Sequence, residues 1–87
     1  MNTNDMEIYR ALSIELLLNQ KVTSFFQRPE VKIRVFQAST EQDSASWKQI
    51  CSIENLIGHI RDSIAIGQLK RALKYLIVLD NLMRKFK

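Results

Sequence analysis

With 87 residues, the chain has room for one domain, which buries only about 60–65% of the surface its unfolded form would expose, so its stability is marginal without help. Apolar residues at 46% and charged ones at 25% exclude the low-hydrophobicity, high-charge signature of disorder. A net charge of +4 admits nucleic acid, a membrane surface or an acidic protein as partner and requires none of them.

A single cysteine, Cys51, excludes a disulfide within the chain and favours a reducing compartment. The start, MNTNDMEIYR, is acidic and polar where a secretory signal is basic, and Ser13, Glu15 and Asn19 interrupt the apolar stretch behind it. No apolar run approaches the roughly 18–20 residues that crossing a bilayer takes. The expectation is a cytoplasmic protein with no membrane partner.

The first element is a helix over about residues 5–26. Asn4 can cap it, and Glu7, three positions on, can reach back to the cap amide. Ala11, Ile14, Leu18, Val22 and Phe25 recur at steps of three and four, while Tyr9, Leu12 and Leu16 widen the apolar face beyond one contact. Pro29 ends it, and Phe25 and Phe26 are expected in the core, the other reading being interface anchors.

Residues 27–46 form a connector in this reading. Within 29–38, Val31, Ile33 and Val35 alternate with Lys32 and Arg34 at the period of a half-buried strand, yet Pro29 followed by Glu30 suits a first helical turn. A lone strand would have only a copy of itself to pair with, so a short helix or an extended, irregular connector is expected. STEQDSAS, residues 39–46, is small and polar and is expected to be an exposed loop.

The last forty residues carry the strongest periodicity. Ser46 and Gln49 have the spacing of a capping box, and Ile50, Ile53, Ile57, Ile60 and Ile64 follow at steps of three and four, predicting a helix over about 47–65. Trp47 beside the cap is either a lid on the core or an interface anchor. Gly67 suits the left-handed residue that closes a helix, and Leu69, Ala72, Leu76, Leu79, Met83 and Phe86 predict a final helix over about 68–86. Two helices of similar length joined tightly make an antiparallel hairpin.

On a wheel at 100° per residue the apolar arc of the final helix spans roughly 220°, with Arg71 and Asp80 inside it, whereas one packed face takes a little over 100°. The isoleucine stripe is expected to cover the seam from Leu69 to Phe86, leaving a second seam of Tyr75, Val78 and Leu82, with Ile77 beyond both. Either the N-terminal helix fills that second seam or another chain does. Full burial of a Leu or Val is worth about 1.5–3 kcal/mol, and a small domain has few such terms to leave unused.

Lys70, Arg71, Lys74, Arg84 and Lys85 make a basic face on the final helix, able to meet phosphates or an acidic surface, or to stand solvated near a helix C-terminus. A helix-turn-helix reading fits poorly, because the helix that would enter the groove is long and apolar over more than half its girth. Cys51 and His59, eight residues apart on one helix, stand about 12 Å apart along its axis, too far for a nucleophile and its base. Cys51 is expected in the core or at its boundary, and His59 at the surface or an edge. No carboxylate pair has a histidine neighbour to make a metal site, and neither glycine lies in a phosphate-cradling loop. The expectation is therefore no enzyme, no cofactor and no small-molecule substrate.

GQLKRALKYLIVL, with Gly67, Leu69, Ala72, Leu76 and Leu79, resembles the second helix of a tetratricopeptide repeat, where glycine, a large residue, alanine, an aromatic or large residue and alanine hold those offsets. Leu56 falls where the first helix of the repeat often has tryptophan. Ile60 and Ser63 replace its usual glycine and tyrosine, and Leu79 replaces a small residue. The resemblance covers one unit at most, residues 53–86, and implies a protein-binding scaffold of the kind used by small helical chaperones and adaptors.

The sequence thus predicts an all-α domain in which an N-terminal helix packs on a C-terminal antiparallel hairpin. Its expected function is binding another protein, or a copy of itself as a homodimer, as an adaptor, chaperone-like subunit or regulator, through Tyr75, Ile77, Val78 and Leu82. The alternative is a nucleic-acid-binding transcriptional regulator that uses the basic face.

Overall fold

The computed structural model describes residues 3–40 and 44–86. Four helices follow in order: α1 (Thr3–Gln27), α2 (Pro29–Thr40), α3 (Ser44–Ala65) and α4 (Leu69–Lys85). No strand occurs among the described residues, and the all-α prediction holds.

Helix α1 starts one residue before Asn4, so the nominated cap sits inside its first turn, within the usual play of helix ends. At the other end the chain bends at Arg28, whose amide donates to the Phe25 carbonyl at 3.2 Å. The Arg28 carbonyl then accepts from the amides of Val31 and Lys32 at 3.1 and 3.0 Å, which starts α2 with Pro29 in its first position. Proline lacks only a donor that the first turn would leave unused, and its fixed φ suits a helix.

Between the two expectations for residues 29–38, helix or extended connector, the structure decides for a full helix. Alternation over five residues imitates a strand, but the inward positions are Val31, Val35 and Ala38, at the three-four spacing of one helical face. Ile33 and Phe36 point to water. The predicted loop also shrinks from both sides: Ser39 and Thr40 belong to α2, their hydroxyls donating to the Phe36 carbonyl at 2.9 and 2.8 Å, and α3 begins at Ser44. Ser46 therefore lies buried two residues inside α3 and not at the N-cap position that its spacing to Gln49 had suggested. Residues 41–43 of that loop lie outside the described residues.

The α3–α4 turn follows the prediction. Gly67 has φ 79°, its amide donates to the Ile64 carbonyl at 3.1 Å, and the Gln68 amide reaches the Ser63 carbonyl at 2.8 Å. These two bonds are the Schellman closure that a left-handed glycine permits. The hairpin is antiparallel, with His59 facing Tyr75 and Ile53 facing Leu82. Helix α1 lies on the hairpin parallel to α4: Tyr9 stands near Leu69 and Leu73, Lys21 meets Asp80, and Phe25 meets Phe86.

The core is the one the three-four patterns foretell. Ile14, Leu18 and Phe25 from α1, the isoleucines from Ile50 to Ile60, and Ala72, Leu76, Leu79, Met83 and Phe86 are buried together. At one end Phe25 packs edge-on against Phe26 and Phe86 at 5.0 and 5.4 Å, and the Arg34 guanidinium lies 5.9 Å over the Phe86 ring.

The molecule is a rod of 52 × 19 × 18 Å with a radius of gyration of 14.9 Å, against about 12 Å for a compact domain of its length. Its accessible surface is 6316 Å², about a fifth above the roughly 5,300 Å² usual for its mass. Long helices side by side give a thin core, and the extra surface falls on their outer sides.

Candidate protein-binding face

The structure divides the four residues singled out on the final helix. Tyr75 is half-buried, its ring stacked on His59 of α3 at 5.6 Å and 25°, with the Arg71 guanidinium 5.5 Å from the same ring. Leu82 is half-buried too, in a cleft with Ser52 and Ile53 of α3. Val78 and Ile77 point outward, 46% and 64% exposed.

The covering partner also differs from the expectation. Helix α3 takes the Tyr75 and Leu82 side of α4, while α1 lies along the opposite edge, beside Leu69, Leu73 and Asp80. The wheel gives the apolar arc its width but not which neighbour takes which edge. One signal did mark the α1 edge. Asp80, an acid inside the apolar arc of α4, is matched by Lys21, a cation on the inner side of α1, at 3.1 Å. Arg84 approaches the other carboxylate oxygen at 2.9 Å. The hydrogen bond from Lys21 is the main cause that holds the Asp80 carboxyl below its ordinary 3.8; partial burial opposes it, and the charges of Lys21 and Arg84 assist.

What the sequence reading underestimated is the outer side of α1. Met6, Tyr9, Leu12 and Leu16 are each about half exposed, and across a shallow groove Leu73 and Ile77 of α4 are exposed to a similar degree. Met6, Tyr9 and Leu73 line the groove together with Arg10 and Lys70, and helical spacing carries the apolar surface on from Tyr9 to Leu12 and Leu16 along the outer side of α1 and from Leu73 to Ile77 along α4. At about 60–120 Å² of apolar surface per side chain, half exposure of six gives roughly 200–400 Å². A contiguous patch of a few hundred Å² is the size at which a soluble monomer's surface marks a binding site. The signal was present as the excess width of the α1 stripe.

The basic residues Lys70, Arg71, Lys74, Arg84 and Lys85 are all exposed, but they do not act as one group. Arg84 turns to Asp80, and Arg71 folds over Tyr75, leaving Lys70, Lys74 and Lys85 along the outer side of α4. Trp47, at 52% exposure, does not lid the core; Phe25 is buried and Phe26 half-buried in it. Cys51 is half-buried and His59 exposed. Among the described residues, no helix is long and apolar enough to cross a membrane, and no three His, Cys, Asp or Glu gather as metal ligands. Comparison with protein-family models, curated proteins and solved structures finds no match to this chain.

Proposed function

We propose that this chain is a small protein-binding module, serving as an adaptor, chaperone-like subunit or regulator, which buries an apolar helix face against another chain or a copy of itself. The observation that carries this reading is the uncovered face of Tyr9, Leu12 and Leu16 on α1 beside Leu73 and Ile77 on α4. Val78, also exposed, stands apart from it on the side of α4 that carries Tyr75 and Leu82. A domain whose surface already exceeds that of a compact monomer has the most to gain from covering such a face. The tetratricopeptide-like pattern of residues 53–86 agrees with a scaffold of this kind.

The test is site-specific photocrosslinking in cells. A photoreactive residue at position 12 or 77 should form adducts with protein, while one at Asn55, on the far side of α3, should not. Equal labelling at all three positions, or none, would remove the reading.

One observation favours nucleic acid as a second reading: Lys70, Lys74 and Lys85 stand exposed along one side of α4. Mobility-shift titration with duplex DNA at several salt concentrations decides it, since binding by three lysines should weaken steeply as salt rises.

A further inference from the structure

Resting on that reading, we infer that the seam between α1 and α4 takes an acidic amphipathic helix of another protein. The seam is grooved at two places along its length, around Arg10 and Lys70 near the hairpin turn and around Lys21, Arg28 and Arg84 towards the far end. Those are five of the chain's thirteen cations, and among the described residues only Asp80 of its nine acids lines the same grooves. Asp80 already holds Lys21 and Arg84, at 3.1 and 2.9 Å. The seam therefore carries a charge of +4, the whole net charge of the chain, while the other cations and acids balance, eight against eight.

Between its two charged ends the seam is apolar. Lys21 stands beside Asp80 and Phe25 beside Phe86, so a residue of α1 lies level with one about sixty positions later in α4. By that register Leu17 stands level with Ile77, the two being 42% and 64% exposed. Met6 and Leu73 continue the strip towards the turn, at 47% and 45%.

An occupant has to match both features. A phosphate backbone would pair with the cations and leave Leu17, Leu73 and Ile77 in water, and a second copy of this chain laid seam to seam would set like charges together. The described residues include no strand, so a bound segment finds no sheet edge for its amides and carbonyls and must satisfy them itself, as a helix does. A helix with an apolar stripe bordered by glutamates or aspartates buries the stripe between Met6 and Ile77 and brings its carboxylates to the cations on either side. From Arg10 to Arg28 is about 27 Å at about 1.5 Å per residue, which sets the length of that helix at roughly five turns.

Fluorescence anisotropy of the full chain with two labelled peptides of about twenty residues tests this, with circular dichroism to check that each variant stays helical. Both peptides carry the same leucine stripe at steps of three and four; one borders it with glutamates, the other with lysines. The glutamate peptide should bind roughly tenfold tighter or more, and the gap should narrow as salt rises. Arg10→Glu with Lys70→Glu in one chain should remove the preference. Lys32→Glu with Lys48→Glu, the same change of charge on exposed residues of α2 and α3, should keep it. Ile77→Ser should weaken both peptides, because the surface it removes is apolar. Equal affinity for the two peptides, a preference that survives Arg10→Glu with Lys70→Glu, or binding by neither up to about 1 mM overturns the inference. So does a labelled DNA duplex that binds more tightly than the glutamate peptide through the same two cations, which would give the seam to nucleic acid. Protein crosslinks from position 12 or 77 alongside any of these results would leave the binding reading intact, and their absence would remove both.

Discussion

Lys21 Nζ stands 3.1 Å from Asp80 Oδ1 across 59 residues of sequence, and that pair pins α1 to the edge of α4. It sits at the rim of the core, with the lysine and aspartate side chains 34% and 26% exposed, so it acts as a registration point more than as a source of stability.

The pair makes stability depend on acid. Asp80 is held below 3.8 in the folded chain, so its contribution is complete above that value and is lost as pH falls through the lower, folded one. Thermal melts should show a decline below about pH 4 that is shallower in Asp80→Asn, in which nothing at this position titrates. Identical acid profiles for the two proteins would deny the pair any role.

The two glycines should respond to alanine with opposite signs. A Cβ at either meets nothing within 4 Å, so backbone conformation alone decides. Gly67→Ala forces a left-handed residue to carry a side chain and should destabilise by about 1–2 kcal/mol. Gly58→Ala, in the middle of α3, should stabilise by about 0.5–1 kcal/mol. Denaturant midpoints measure both.

Burial separates residues that composition treats alike. Leu79 is fully buried, and Leu79→Ala should lower stability by about 2–5 kcal/mol, enough to unfold much of a marginal domain. Phe36, larger and equally apolar, is 67% exposed, and Phe36→Ala should change stability by less than about 0.5 kcal/mol. A urea titration in which the phenylalanine change proves the costlier would contradict the packing of α2.

Val78 distinguishes a surface from a core directly. Because it points out of α4, Val78→Asp should keep the helical circular dichroism of the parent and shift its melting by no more than a surface substitution does. Collapse of the fold would place Val78 in the interior. A folded Val78→Asp protein that no longer associates would place it at the margin of the binding face.

Much of the architecture was legible in the sequence because burial in helices obeys a period. The isoleucines from Ile50 to Ile60, the Ala72 to Phe86 series and the Ile14, Leu18, Phe25 stripe are the core, and Gly67 is the turn, as their spacing implied. Residues 29–40 were ambiguous because five residues with alternating polarity satisfy a strand and a helix alike; Val31, Val35 and Ala38 settle the question only once α1 and α3 supply something to pack on. Ser46 has the chemistry of a cap, but a hydroxyl suits several places in a helix, and whether it caps depends on where the first turn begins.

The sequence by itself determined that α4 and α1 are apolar around more of their girth than one neighbour covers, since side-chain period is a property of the helix alone. Only the tertiary structure decided which edges are covered. Helix α3 takes Tyr75 and Leu82, α1 takes the Asp80 edge, and Leu12, Leu16, Leu73 and Ile77 are left in water. That choice depends on the direction in which each helix leaves its turn and on one ion pair between residues distant in sequence, and no local pattern encodes either.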